Sequence, residues 1–234
     1  MNNQLGESVI RELYTKREPA GCDAWSPLDH EVELWHRSRL MIEACHALRL
    51  IAKPVKTLKV LDVGCGVGRS SRLLVDLGIK PENILGIDFR ESAIDFAQRT
   101  NPAIRFLHIA GLNDWPHGSF DLATQCTVFS SIPTDLFRAE TAGLMERSVG
   151  QDGYILWWDA VKANVFAGGG PLRPVELFGK RRLLYLRQVP LRPQLNESIR
   201  SMRGIERLIA SLLVCCGYRP THVMALFGPM KISN

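Results

Sequence analysis

Residues 57–70 read Thr57-Leu58-Lys59-Val60-Leu61-Asp62-Val63-Gly64-Cys65-Gly66-Val67-Gly68-Arg69-Ser70, and the rest of the chain is arranged around them. Val60, Leu61 and Val63 make a short apolar, largely β-branched run of the kind that lies buried in a parallel sheet. Gly64, Gly66 and Gly68 follow without a break, and Ser70-Ser71-Arg72-Leu73-Leu74 then takes up a helical pattern. A strand, a glycine turn and a helix form a nucleotide-type site. Glycine allows the bend and the close approach of a ligand to the main chain. The helix N-terminus adds unpaired N–H groups and partial positive charge.

The spacing separates this turn from a dinucleotide turn. A pyrophosphate fingerprint needs G-x-G-x-x-G, but the position three after Gly66 is Arg69, and Asp62 precedes the turn. A carboxylate there repels a pyrophosphate and suits an ammonium group. Asn83-Ile84-Leu85-Gly86-Ile87-Asp88 is a second apolar strand ending in acid, about 20 residues beyond the last glycine, where a ribose diol is bound. The implied ligand has an adenosine-like sugar, a cationic amino-acid end and no phosphates. S-adenosylmethionine meets all three conditions, and a nicotinamide-dependent oxidoreductase is disfavoured by Arg69 and Asp62.

With these residues in view, the chain resembles the class I S-adenosylmethionine-dependent methyltransferases. Residues 60–68 look like their first motif, Gly86-Ile87-Asp88-Phe89 like the second, and Ser119-Phe120-Asp121-Leu122 like the start of the fourth strand. Gly150-Gln151-Asp152-Gly153 stands where relatives carry a Pro-Gly-Gly turn. The resemblance implies an α/β, Rossmann-like, seven-stranded, mostly parallel sheet with helices on both faces and an antiparallel last strand. It also implies three regions: an N-terminal helical cap over 1–56, a cofactor-binding core over 57–160, and a lid with the basic C-terminal part over 161–234. The cofactor residues expected are Asp62, Gly64, Cys65, Gly66, Gly68, Asp88, Phe89, Leu112, Asn113, Cys126 and Thr127. A narrower likeness, carried by residues 126–132, 155–159 and 222–231, is to bacterial methyltransferases often assigned to glycan or lipopolysaccharide tailoring.

The sequence departs from that pattern in the loop around the adenine. Gly111 falls where relatives place an acid, so the usual carboxylate near the amino group is absent, or its acceptor role falls to Asn113 or Asp114. Beyond the fourth strand there is no Asn/Asp-Pro-Pro-Tyr/Phe, and Cys126 has no preceding proline, which argues against DNA amine and cytosine C5 chemistry.

Composition sets outer limits. The length suits one domain with a sizeable core, no apolar run is long enough for a membrane span, and the N-terminus has no signal-peptide layout, so a cytoplasmic protein is expected. Six cysteines show no C-x-x-C and no metal-ligand spacing with the six histidines, so reduced thiols and no metal are expected. From Arg173 to Arg219 ten Lys and Arg face three acids, in a chain of net charge +5. This basic third is ordinary solvated surface, or it attracts a phosphate-bearing substrate or an anionic membrane. Nucleic acid is not expected, because the aromatic interleaving of a single-strand platform is missing.

Elsewhere, Val32, Leu34, Trp35, Leu40, Met41, Ala44, Leu48 and Ile51 mark a helical face that Lys53-Pro54 ends. The resemblance implies that such a helix packs over the cofactor with Trp35, His36 and Arg39 near the methionine end or the substrate, plain helix packing or solvent exposure of each being the alternative. Strands are expected over 103–108, 120–129, 154–159, 183–189 and 222–227. Helices are expected over 69–78, 88–100, 135–149, 174–179 and, amphipathic, 205–213, with a glycine hinge at 167–171. A hydroxyl acceptor needs a general base. Asp159, at a strand end, and His36 are the candidates, with His30 and His108 behind them. The function expected is methyl transfer to a small-molecule acceptor, with O-methylation of a phosphate- or lipid-linked sugar as the candidate reaction. A non-catalytic cofactor-binding subunit of a partner protein is the alternative.

Overall fold

A computed structural model describes residue 12 and residues 31–163, 170–189 and 221–231 of the chain. The expected helix over 205–213, the hinge residues 167–169, His30 and most of the basic C-terminal third lie outside the described residues.

Seven strands form one sheet: β1 (Val60–Val63), β2 (Ile84–Asp88), β3 (Arg105–His108), β4 (Leu122–Cys126), β5 (Tyr154–Ala160), β6 (Arg181–Val189) and β7 (His222–Met230), in the order β3-β2-β1-β4-β5-β7-β6. β1 to β5 pair in parallel, and β7 is inserted antiparallel between β5 and β6. This is the expected fold class. All four residues of β1 are buried, as a central strand covered on both faces requires. The strand order reverses between β1 and β4, and in open α/β sheets ligands bind beyond the carboxyl ends of the strands at that point.

Among the described residues, helices α1 (Glu31–Leu48), α2 (Arg69–Asp76), α3 (Glu91–Thr100), α4 (Asp135–Val149) and the short α5 (Pro174–Leu177) accompany the sheet. Two buried clusters lie on opposite faces of the sheet. One joins Leu61, Ile87 and Trp157 to Phe137 and Met145 of α4, and the other joins Val60, Leu122 and Trp158 to Leu40 and Ala44 of α1 and Leu73 of α2.

The helix ends follow from their residues. α2 stops at a Schellman motif: Gly78 (φ +96°) donates to Val75 and Ile79 to Leu74, a conformation open to glycine. Thr134 caps α4 by accepting from the Phe137 N–H at 3.2 Å. At the other end of α4 a fully buried Arg181 donates to the carbonyls of Gly150 at 2.5 Å, Gly153 at 2.9 Å and Gly228 at 3.2 Å. Its cation is tolerated there because it meets several carbonyls and the negative end of the helix.

α1 differs from expectation in its facing. Leu40, Ala44, Leu48 and Ile51 are buried as expected, but Leu34 and Met41 point outward. Glu43 takes a place on the buried side instead, where it accepts from Tyr185 Oη at 2.5 Å and Arg39 Nη2 at 2.7 Å. Arg39 therefore anchors the helix and does not border the site. A buried carboxylate with two donors substitutes for an apolar contact, which an apolar-periodicity reading passes over.

Candidate cofactor and acceptor site

The three glycines of the turn have different work. Gly64 (φ +65°) passes under the exit of β4, where a Cβ would lie 2.4 Å from Val128 Cγ2. Gly66 (φ +54°) donates its N–H to Asp88 Oδ2 at 2.9 Å. Gly68 (φ +81°) precedes α2, and a Cβ there would come within 3.0 Å of both Asn101 and Phe106. Gly64 and Gly66 thus border the cavity, while Gly68 brings α2 close to α3 and β3.

The two carboxylates also differ. Asp88, at the tip of β2, reaches the cavity wall and accepts from Gly66 N, from Arg90 N at 2.9 Å and from Arg90 Nε at 3.2 Å. Asp62 is fully buried beneath the turn and does not form part of the wall. Its Oδ2 accepts from Ser70 Oγ at 2.7 Å and Ser71 Oγ at 2.5 Å, which fixes the start of α2. Its Oδ1 is buried without a partner among the described residues. Burial raises the Asp62 pKa to about 6, against the lowering effect of the two serine hydroxyls. It is the tip of β2 that meets the cavity, and the tip of β1 supports the turn from behind.

The cavity holds about 640 Å³ and opens over the ends of β1, β2 and β4. Of the expected cofactor residues, Gly64, Cys65, Gly66, Asp88, Phe89, Leu112, Cys126 and Thr127 are brought together on its wall. Asp62 and Gly68 lie behind the wall, and Asn113 is exposed outside it. Asp114, the other candidate beside the adenine, accepts from the Ala110 N–H at 2.9 Å and so shapes its own loop. Burial pushes the Cys65 thiol well up, so it is an inert packing group. Wall residues missed by the sequence reading include Arg37, Trp115, Ile132, Phe137 and Thr141. Arg37 carried a signal, since it is one position from His36 and three from Leu40 on the same helix, and both also border the cavity.

Beyond β4 the chain is held in an unusual conformation. Thr127 has φ +59°, the one positive φ outside glycine among the described residues, and such strain persists where surrounding bonds impose it. Here Thr127 N donates to Trp158 O at 2.8 Å, and the Val128 N–H donates to Gln125 Oε1 at 3.0 Å.

Of the residues considered as general bases, His36 borders the cavity, and Asp159 and His108 do not. Asp159 is fully buried and off the wall, and accepts from Phe129 N at 2.8 Å, Ser130 N at 3.2 Å and Ala160 N at 2.8 Å. It orders the turn after β4. Burial raises its pKa to about 6, while its hydrogen bonds from Ser130, Ala160 and Phe129 oppose this. His36 does border the cavity, but its Nε2 accepts from Trp158 Nε1 at 3.0 Å, and burial lowers its pKa to about 4. His108 Nε2 lies 3.2 Å from Phe89 O and off the wall. No group of three or more metal-ligating side chains occurs among the described residues.

The residues present fit S-adenosylmethionine. An acid stands at the tip of β2, glycines leave the main chain open, Phe89 and Leu112 supply apolar surface, and a buried carboxylate oxygen lies unpartnered beneath the turn. Comparison with known proteins agrees. Residues 60–146 match the model of a family described as a methyltransferase domain. No curated protein sequence gives a significant match. Among solved structures, the N-methyltransferase NodS of Bradyrhizobium japonicum WM9, in complex with S-adenosyl-L-homocysteine, aligns with TM-score 0.64 at 15% identity, over 95% of this chain and 99% of its own. A methyltransferase in complex with the Haloferax volcanii Trm112 activator aligns with TM-score 0.57 at 17% identity, over 83% and 92%. An S-adenosylmethionine-dependent methyltransferase of Mesorhizobium loti aligns with TM-score 0.55 at 17% identity, over 80% and 99%. At such identities the structural likeness is one of fold, and what the comparisons give this chain is a methyltransferase domain over residues 60–146, which holds both the glycine turn and the acid at the tip of β2.

Proposed function

We propose that the protein methylates an oxygen of a small, anionic acceptor, such as a phosphate- or lipid-linked sugar, in the cytoplasm. The supporting observation is the continuity of one cavity from the glycine turn past Thr127 to Ser131 and Thr141, bordered by His36 and Arg37 of α1. A cavity of this size can hold a nucleoside cofactor and a small molecule side by side. When bound, S-adenosylmethionine supplies an activated methyl group. Asp88, the glycine turn, Phe89 and Leu112 would hold it.

The chain's own contribution is placement. Aligning two reactants is worth roughly 7–11 kcal/mol in oriented intramolecular systems, and excluding water strengthens the polar contacts around them. Among the described residues the two first considered as bases are otherwise engaged: the Nε2 of His36 accepts from Trp158, and the Asp159 carboxylate lies off the wall.

The test is transfer of radiolabelled methyl to a panel of sugar phosphates, nucleotide-sugars and lipid-linked glycans, with amines and proteins as comparison. Label on a sugar oxygen is the expected result, and label confined to amines or proteins would overturn the reading.

A second reading, a non-catalytic cofactor-binding subunit, is favoured by one observation: α1 exposes Leu34, Met41 and Ile42 on its outer side. The Haloferax volcanii neighbour is itself in complex with an activator protein. Turnover by the isolated chain on any acceptor dismisses this reading.

A further inference from the structure

α1 presents two adjacent donors at the cavity that no described residue satisfies. Trp158 Nε1 lies 3.0 Å from His36 Nε2, and an indole N–H can only donate. Nε2 therefore carries no proton, and the hydrogen of the neutral ring sits on Nδ1. The ring is held in place by Trp158 and His222, with centroids 5.6 Å and 5.2 Å away. Burial lowers its pKa to about 4, so at neutral pH His36, which borders the cavity, is uncharged and carries its N–H donor at Nδ1.

Arg37 is the next residue, half-buried on the same wall. Arg39 is bound to Glu43 at 2.7 Å and Arg90 to Asp88 at 3.2 Å, but Arg37 has neither a hydrogen bond nor an ion pair with any described residue. Among the described residues the wall carries Arg37, Arg69 and Arg90 and one carboxylate, that of Asp88. A partly buried guanidinium without a counter-charge loses hydration with no return, and its planar fork matches the oxygens of a phosphate or carboxylate.

We infer that Arg37 and the Nδ1–H of His36 form an oxyanion subsite that grips a phosphate or carboxylate group of the methyl acceptor. The inference rests on the acceptor reading above and adds to it the residues that select the substrate's charge. It separates two arginines by role: Arg69, at the start of α2 beside the glycine turn, faces the cofactor end, while Arg37 approaches from the cap helix.

The test uses the full chain saturated with S-adenosylhomocysteine, titrated calorimetrically with inorganic phosphate and separately with acetate, at ionic strength held constant with chloride. Binding of one or both anions is expected, and the stronger of the two shows which oxyanion the subsite favours. Arg37→Gln is expected to weaken that binding at least tenfold and Arg37→Lys to retain part of it, with adenosylhomocysteine affinity within threefold of wild type in both. His36→Phe, which removes the Nδ1–H, is expected to weaken anion binding by a smaller factor. The inference is overturned if neither anion binds the wild-type complex or if Arg37→Gln binds them as wild type does. It is also overturned if Arg37→Gln loses adenosylhomocysteine itself, since Arg37 then holds the cofactor's own carboxylate. Wild type giving no heat with adenosylhomocysteine would instead overturn the cofactor assignment on which the inference stands.

Discussion

The main-chain N–H of Gly66 donates to the carboxylate of Asp88 at 2.9 Å, so the turn after β1 is tied to the tip of β2 before any ligand arrives. The same carboxylate holds Arg90 through its main-chain N–H and its Nε. Hydrogen bonds to a charged group contribute about 1.5–3 kcal/mol each. Asp88→Ala is expected to weaken adenosylhomocysteine binding by one to two orders of magnitude in calorimetry, with Asp88→Asn intermediate because the amide oxygen still accepts from Gly66. Unchanged affinity in Asp88→Ala would remove Asp88 from the cofactor site.

The crossing of Gly64 beneath Val128 sets up a paired test. An alanine at 64 meets a backbone strain of about 1–2 kcal/mol at φ +65° and a contact of 2.4 Å with Val128 Cγ2. Overpacking of that kind costs about 1–3 kcal/mol more. Gly64→Ala with Val128→Ala is expected to recover the second cost and not the first. Urea unfolding of the two single variants and the double variant measures the coupling, and strictly additive effects would contradict the geometry.

Asp62 links stability to pH. Its pKa is raised from 3.8 to about 6, so the folded state favours the protonated form. The stabilisation is full below pH 3.8 and is lost as pH rises through 6. His36 and His222 act oppositely: burial lowers both from 6.5 to about 4, and His222 also feels the charge of His36, so their contribution is lost as pH falls from 6.5 through 4. The total is therefore a poor probe, but the difference between wild type and Asp62→Asn isolates one group. Wild type should gain about 2 kcal/mol on the variant between pH 7 and pH 4, measured by urea unfolding at half-unit steps. A difference independent of pH would mean that Asp62 titrates alike in the folded and unfolded chain.

Tyr185 Oη donates to Glu43 at 2.5 Å and joins the cap helix to β6. Burial, reinforced by the hydrogen bond and charge of Glu43, pushes the Tyr185 pKa up to about 12. Tyr185→Phe leaves a buried carboxylate with Arg39 alone, at an expected cost of about 1.5–3 kcal/mol in unfolding free energy. In wild type, ultraviolet titration should show one tyrosine ionising near 12 that the variant lacks. A variant as stable as wild type would mean that the cap helix does not depend on this bond.

Local chemistry alone determined the strand, glycine turn and helix at 60–76 and the acid at the tip of β2, through β-branched runs and the φ that glycine adopts readily. These residues pointed to the cofactor, and the family resemblance they carry implied the fold class, the antiparallel last strand and the expected cofactor positions, eight of which border the cavity. The tertiary structure alone decided where polar side chains end. Asp62 and Asp159 both stand at strand tips in the sequence, yet both turn away from the cavity to satisfy hydroxyl or main-chain donors that other segments bring to them. His36 became a fixed donor only because Trp158, 122 residues away, reaches its Nε2. A buried polar atom takes whichever partner the packed chain supplies, and that partner has no periodicity along the sequence.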